Sequence, residues 1–523
     1  MVTRAPRSAA SATPATEAMR RLFLHQDGFA IATAFSGLDA AGALEPVLAG
    51  RAVSLGDMAA GTASYPAVLA FVRAGESAGW LRVGPGWPGP GTPVSLAAAM
   101  AGGAPLTELY VASHRQVADR LRDADWADDD SVVSAAAETL AGLEAARTRV
   151  HRSGALTEAE RTIAGFHLEG LVAAVVLPRL AARTGEDPPG PAYSSVLRFL
   201  GFEDGRDGPT RLGEAGTFFR PVYGLIGSYA RSLLAFPDWL RATAPITPAR
   251  VNDLVDRRLN VLASGAAHKS YFATADQLVR RLFDEAPPAA QPRAIVDVGC
   301  GDGSWLRRTY ETIVRTTTRG KNLERFPLGL VGVDVDRRAL DVARTESAGW
   351  PAIFVEGDVG APRRICSDVA AATGYDPEEV LHVRAFVDHN RRILAESVPG
   401  IRPAPAAVSA PVCTDDAGRL VAPEALEESW REHYAGWRAA SARHGMVVVE
   451  GHVLPPAEIL SRRGSVHALA FELYHSLSGQ SPLDWPGYQR VVRSAGLRTT
   501  TAPSTYPRHH VPATSIQHLV ADS

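Results

Sequence analysis

The run Ile295-Val296-Asp297-Val298-Gly299-Cys300-Gly301-Asp302-Gly303-Ser304 leads from an apolar strand into a helix through a turn made almost wholly of glycine and aspartate. Gly299, Gly301 and Gly303 can take positive φ and leave no Cβ between the backbone and a nucleotide-like ligand. Their spacing is G-x-G-x-G, so this is not the G-x-G-x-x-G cradle of dinucleotide sites. Acids then close three successive apolar runs: Asp334 after 328–333, Asp358 after 352–355 and Asp388 after 380–387. In an open α/β sheet, ligands bind at the carboxyl ends of strands. An acid at the second strand end can accept both hydroxyls of a ribose, and one at the third can accept from an adenine amino group. Asp297, beneath the turn, can order the loop.

Together, Asp297-Val298-Gly299-Cys300-Gly301-Asp302-Gly303, Val331-Gly332-Val333-Asp334 and Glu356-Gly357-Asp358 resemble the motifs of class I S-adenosylmethionine (SAM)-dependent methyltransferases, over roughly residues 265–523. The resemblance implies an α/β, Rossmann-like domain with a mostly parallel seven-stranded sheet and SAM as cofactor. Asp334 would hold the ribose, Asp358 the adenine, and Gly299, Gly301 and Gly303 the methionine moiety. Asp334 comes later than usual because 311–327 look inserted.

A narrower resemblance rests on Asn260-Val261-Leu262-Ala263-Ser264-Gly265-Ala266-Ala267-His268 with Tyr271-Phe272, on His382-Val383-Arg384-Ala385-Phe386-Val387-Asp388-His389-Asn390-Arg391 and, more loosely, on Glu472-Leu473-Tyr474-His475-Ser476-Leu477-Ser478-Gly479-Gln480. These runs are similar to metal-dependent C-methyltransferases: 2-oxo acid enzymes such as the 2-ketoarginine methyltransferase, and the mononuclear-iron domains of polyketide loading modules. What this implies is Tyr271 at the cofactor and a divalent metal held by His389, His475 and Gln480, with Asp388 as a further donor. The implied reaction is C-methylation of a 2-oxo acid or related enolisable small molecule in specialised metabolism.

Carbon methylation needs a carbanion equivalent, and a metal chelating a keto oxygen and its neighbouring carboxylate stabilises an enolate as a Lewis acid. A nitrogen and oxygen donor set suits Fe(II), Mn(II) or Zn(II). His268, Glu450 and His452 compete for the role of base, and Arg384 or Arg391 can clamp a substrate carboxylate. Histidines that lie on the surface or merely support the site remain the alternative to a metal centre. Two rivals keep the cofactor: O-methylation of a natural-product hydroxyl without metal, and C-methylation of a thioester on a carrier protein acting in trans. A cofactor-sensing DNA-binding regulator is the non-enzyme rival.

The elements that must position these residues fit a chain of 523 residues with two or three domains. Its 54 basic and 57 acidic residues nearly cancel, which speaks against a nucleic-acid partner. No uninterrupted apolar run approaches the roughly 20 residues of a membrane span. Cys300, Cys366 and Cys413 are widely spaced, as in a reducing cytoplasm. Residues 1–15 read as a disordered tail and 16–103 as a winged-helix-like unit suited to dimerisation or substrate capping, with a homodimer allowed. Residues 104–265 read as a helical lid with helices at 131–150, 157–183 and 248–263 and a second wing-like piece at 193–220. Residues 266–523 read as the catalytic domain, with further strands at 446–449, 497–501 and 515–520 and a Pro/Ala-rich loop at 398–424.

Overall fold

The computed structural model describes residues 13–97, 104–183, 189–205, 208–242, 244–393, 411–441, 443–466 and 468–522. The expected tail lies outside these residues up to position 12, as do 398–410 of the expected Pro/Ala-rich loop.

The N-terminal half is built on helix α1 (Pro14–Ala40). The Thr13 hydroxyl caps it by accepting from the Thr16 N–H, and Pro14 starts it where a missing N–H costs nothing. Residues Leu24 to Leu38 are buried on every side, as a helix without a continuous polar face must be. Around it stand β1 (Val53–Ser54), helix α2 (Tyr65–Ser77), β2 (Leu81–Val83) and β3 (Pro93–Leu96). The strands form an antiparallel sheet of order β1-β3-β2, with the Gly/Pro stretch as the loop between β2 and β3. Helix α2 holds the place of a recognition helix. Yet its residues from Pro66 to Gly75, and Ser77, are buried against α1 and the C-terminal half, so it cannot enter a DNA groove.

Helix α3 (Glu158–Ala182) begins at a Thr157/Glu160 capping box and crosses α1 at two glycines. A Cβ on Gly28 would lie 2.2 Å from His167 Cα, and one on Gly170 would lie 2.1 Å from the His25 carbonyl oxygen. By length and mean hydropathy α3 could cross a membrane, although Glu169 and Arg179 interrupt its apolar run, and 89% of its apolar window is buried inside the protein. The region expected as one helix over 131–150 is two, Asp129–Ala137 and Leu140–Arg152. The expected second wing is helical, at Pro191–Phe199 and Arg211–Thr217, with a bridge between Glu203 and Pro209. The proposed division at 265/266 falls inside helix α4 (Arg257–Leu282), which runs without a break from the helical region to the sheet.

The C-terminal half contains β4 (Ala294–Val298), helix α5 (Ser304–Thr316), β5 (Gly329–Asp334), β6 (Ala352–Glu356), β7 (Val380–Ala385), helix α6 (Pro423–Ala440), β8 (Met446–Gly451), helix α7 (Ala468–Ser478), β9 (Leu497–Thr499), β10 (Ser504–Tyr506) and β11 (Thr514–Ala521). The sheet has eight strands rather than seven, in the order β10-β11-β8-β7-β4-β5-β6, with β9 on β11. Strands β4 to β8 are parallel and β11 runs antiparallel to β8. Both faces are covered: Val296, Val298, Val331 and Val333 pack into one core, Ile295, Leu330, Leu381 and Val383 into another. That is why these strands read as continuous apolar runs. Strand order reverses at β4, so the crevice between the ends of β4 and β7 is the switch point where such sheets bind ligands.

The two halves share a core. One buried apolar cluster runs from Leu22 through α1, α2 and α3 to Leu454, Ile459 and residues of α7 up to Leu477.

Candidate active site

The glycine turn stands at the switch point and is tied to the end of β5. The N–H groups of Gly299 and Cys300 donate to the Val333 carbonyl at 2.7 and 3.0 Å. The Gly301 N–H donates to Asp334 Oδ2 at 2.9 Å, and the Asp336 N–H to Oδ1 at 2.9 Å. Asp334, at the end of β5, therefore shapes the turn. Gly299 and Gly301 have φ of +78° and +54°. A Cβ on Gly299 would sit 2.7 Å from Val387 Cγ2, whereas one on Gly301 would meet nothing within 4 Å. The turn is packed below and open above.

Asp358 is exposed past β6, with Oδ1 accepting from the Gly360 N–H at 2.8 Å. Val335, 68% exposed beside Asp334, is an apolar surface at the crevice that the motif reading passed over. Asp297 is buried under the turn. Burial first, then the charges of Asp334 and Asp302, push its carboxyl up to about 8, so it keeps its proton at neutral pH.

The end of β7 is strained. Phe386 has φ +55°, rare for a bulky residue and worth about 1–3 kcal/mol of stored strain. Its ring stacks on His268 of α4, with centroids 4.0 Å apart and planes at 22°, and Tyr271 packs on it at 5.8 Å. Tyr271 is held by Tyr506 at 5.1 Å and by a hydrogen bond with Thr514.

Beyond Phe386 the chain makes a short turn (Asp388–Asn390) that sends neighbouring side chains in different directions. Asp388 points into the core. Its Oδ1 accepts from His433 Nε2 at 2.9 Å and lies 3.3 Å from Arg384 Nε, and its Oδ2 accepts from the Tyr434 hydroxyl at 3.0 Å. Burial alone would raise this carboxyl, but Arg384, His433 and Tyr434 outweigh it and hold it well below the usual carboxylate range. These partners engage both of its oxygens, so Asp388 is a structural hub and not the catalytic or metal-binding group expected. Arg384 lies between the Asp388 carboxylate and the Trp437 ring, 4.3 Å from its centroid. Arg391 donates to the Asp388 carbonyl at 3.0 Å and to Ser429 Oγ at 3.0 Å, and stacks over Trp430. Neither arginine is placed to clamp a substrate. His433, Tyr434 and Tyr488 went unnoticed in the sequence. The one signal was that His433 and Tyr434 lie on the buried face of an otherwise amphipathic helix.

His389 turns the other way. Its Nδ1 is 2.5 Å from Glu450 Oε1 at the end of β8, and Glu450 also accepts from the His389 and Gly451 N–H groups at 3.3 and 2.7 Å. Burial alone would lower the His389 ring, but Glu450, with Asp388 and Gln480, holds its pKa above the ordinary histidine value. Glu450 is thus committed to His389 and acts through it, which argues against its candidacy as the direct base. His452 is walled in by Trp485, Tyr488 and Ser515, its Nε2 2.9 Å from Ser515 Oγ. Burial pushes its ring down to about 3, too weak a base to accept a proton at neutral pH.

His475 and Gln480, at the end of α7 and just past it, come to the same place. The His475 ring is 5.2 Å from that of His389, the Gln480 N–H donates to the His475 carbonyl at 3.0 Å, and the Gln480 side chain helps to raise the His389 pKa. Gln480 Nε2 donates to Ser478 Oγ at 3.1 Å and to the Tyr229 hydroxyl at 3.0 Å, so the helical region reaches the site through Tyr229. Imidazole nitrogens bind such metals at about 2.0–2.1 Å, which puts two coordinated ring centres about 4.5–5.2 Å apart at ordinary bond angles. The observed separation fits, and a carboxylate on the far ring nitrogen is the usual support for a ligating histidine. Among the described residues no three His, Cys, Asp or Glu side chains group as metal ligands, so the set depends on the Gln480 amide as third donor.

A sheet of this order, with a glycine turn at its switch point and acids at the next two strand ends, defines a class I SAM-dependent methyltransferase. The chain belongs to the AprA MT2-like domain family of methyltransferases, whose sequence profile matches residues 252–517. No curated protein matches it. Among solved structures it is similar to the CurJ carbon methyltransferase, at 13% identity over 74% of this chain and 99% of that one, with a TM-score of 0.35. It is also similar to LepI in complex with SAM, at 12% identity over 80% and 99% and a TM-score of 0.37. A third is described as a pericyclic reaction enzyme, at 12% identity over 79% and 99% and a TM-score of 0.37.

Proposed function

We propose that this methyltransferase methylates carbon in an enolisable small molecule of natural-product biosynthesis, a 2-oxo acid or close relative, with a divalent metal held by His389, His475 and Gln480. The observation that carries this reading is the approach of His389, His475 and Gln480 to one another beside the strand ends that flank the glycine turn. When bound, SAM supplies an electrophilic methyl group and the metal a Lewis acid for the acceptor's keto oxygen. Glu450 fixes the His389 ring and its tautomer, and Tyr229 and Ser478 fix the Gln480 amide. His268, stacked on Phe386 at the end of β7 and half-buried, is the base we favour. The turn would hold the cofactor's methionine moiety and the neighbouring strand ends the acceptor, and such positioning is worth several kcal/mol of barrier.

The close His389–Glu450 pair also favours a second reading, in which the dyad deprotonates a hydroxyl for O-methylation without metal. A carrier-bound thioester delivered in trans is the third. Metal analysis of the purified protein and activity in chelator separate the first two. Loss of activity in chelator, restored by one of Fe(II), Mn(II) or Zn(II), and a new carbon–methyl signal in the NMR spectrum of the product support C-methylation. Full activity in chelator removes the metal from the reading.

A further inference from the structure

Aromatic rings gather at the end of β7: His268 and Tyr271 of α4, Phe386 just past the strand, and Tyr506 of β10, each of them half-buried. The Tyr506 ring meets that of Tyr271 at 5.1 Å and 70°, and its hydroxyl is hydrogen-bonded to that of Thr274 at 2.5 Å. Tyr271 is tied in turn to Thr514, so both tyrosine rings are fixed through their oxygens. Phe386 is fixed through its backbone. Its N–H donates to the Val449 carbonyl at 2.8 Å, while φ of +55° turns the chain out of the strand. A bulky residue keeps such a conformation only where its surroundings over-determine it, and these places cluster at functional sites. Val387, the next residue, packs beneath Gly299, so the Phe386 ring stands one residue from the glycine turn.

The turn fits the methionine part of SAM, since a Cβ on Gly301 would meet nothing within 4 Å. SAM carries a permanent positive charge on its sulfur. Neither acid at the ends of β7 and β8 is free to face that charge: His433, Tyr434 and Arg384 engage Asp388, and His389 engages Glu450. Beside them stands aromatic surface, whose negative π face attracts a cation. We infer that Phe386, with Tyr271 beside it, forms the wall that faces the sulfonium of bound SAM and raises its affinity relative to the neutral product. When the methyl group leaves, its bonding electron pair stays on sulfur and the charge is gone, so the attraction ends with the transfer. This reading depends on the cofactor alone and holds for carbon and oxygen acceptors alike.

The test uses the full chain without acceptor and reads the Kd of SAM and of S-adenosylhomocysteine by calorimetry. Phe386 is replaced by mono-, di- and trifluorophenylalanine through a suppressed stop codon, because fluorine drains the π face while nearly keeping the shape of the ring. SAM should bind more weakly at each step, by about 5- to 30-fold in all, the scale of a cation–π contact with a desolvated cation. S-adenosylhomocysteine, which has no charge on sulfur, should stay within about twofold of wild type. Phe386→Leu keeps an unbranched Cβ at the same φ and should shift the ratio of the two constants in the same direction, while Phe386→Trp should preserve it. Equal changes for the two ligands across the fluorinated series, or no change for either, overturn the inference and leave Phe386 a packing partner of His268. If Phe386→Leu fails to fold, the fluorinated series still decides, since it alters charge distribution and not packing.

Discussion

At the scale of single residues, Asp388 and His389 show how adjacent side chains divide the work. One carboxylate is buried among His433, Tyr434 and Arg384 and holds the turn; the next residue's ring turns toward Glu450 and His475 and is tuned by Glu450. Glu450 is the chief charge that raises the His389 ring, so with His389 as the proposed metal ligand Glu450→Gln should cut kcat/KM by about 10–100-fold, the usual loss when a ligand's supporting carboxylate goes. It should also move the ionisation that His389 contributes to the pH–rate profile toward lower pH. A slower variant with an unmoved profile would show that this pair is not the titrating unit. Asp297 permits a second test, of stability. The folded chain keeps its proton to about pH 8, while the unfolded chain releases it near the ordinary value of 3.8. Between those limits the unfolded state binds fewer protons, so this group makes stability fall as pH rises. Asp297→Asn has no proton to lose. Its stability relative to wild type should climb by up to about 1.4 kcal/mol per pH unit from pH 4 to 8 and then level off. Parallel denaturant-derived stabilities across that range would refute a protonated Asp297.

At the scale of elements, the turn between β4 and α5 separates two duties of glycine. Gly299 is packed from below by Val387, and Gly301 faces open space. Gly301→Ala should therefore lower stability by only about 1–2 kcal/mol, the strain of a Cβ in the left-handed region. It should weaken S-adenosylhomocysteine at least tenfold, because the new methyl enters the space above the turn. Gly299→Ala should be less stable still, since overpacking against Val387 adds about 1–3 kcal/mol. Calorimetry that finds cofactor affinity untouched in Gly301→Ala would remove the turn from the cofactor site. These elements were legible in the sequence because their signals are local: a strand, a glycine turn and an acid all fall within ten residues. The convergence of His389 with His475 and Gln480 was available only through resemblance. The Asp388 hub was illegible because His433 and Tyr434 lie 45 and 46 positions further on. Strand β3 begins with a proline and β10 has three residues, too little for an alternation pattern to register. Helix α2 carries no Lys/Arg cluster of the kind that marks a recognition helix, and its tertiary packing shows its surface spent inside the molecule.

At the scale of the whole molecule, the shared core makes the N-terminal half part of the catalytic apparatus and not an appended module. Tyr229 holds Gln480, Arg73 reaches Glu472, and α7, which carries His475, packs on α1 and α2. This integration can be broken far from the chemistry, where α1 crosses α3. A Cβ on Gly28 would overlap the backbone of His167 at 2.2 Å, and backbone cannot rotate aside as a side chain would. Gly28→Ala must push the helices apart, at a cost of about 3 kcal/mol or more, the upper range for overpacking. If one core spans Leu22 to Leu477, scanning calorimetry should show the main transition moving as a unit, with methyl transfer and S-adenosylhomocysteine binding lost in step with it. Gly216→Ala is the control: it also lies in a helix, but its Cβ would sit 3.6 Å from the Phe202 ring, an ordinary contact. It should leave the transition within about 0.5–1 kcal/mol of wild type, the range of a helical glycine replaced by alanine. Two resolved transitions, with the one that carries cofactor binding indifferent to Gly28→Ala, would mean that the sheet domain stands alone. The contacts made by Tyr229 and Arg73 would then be incidental to catalysis.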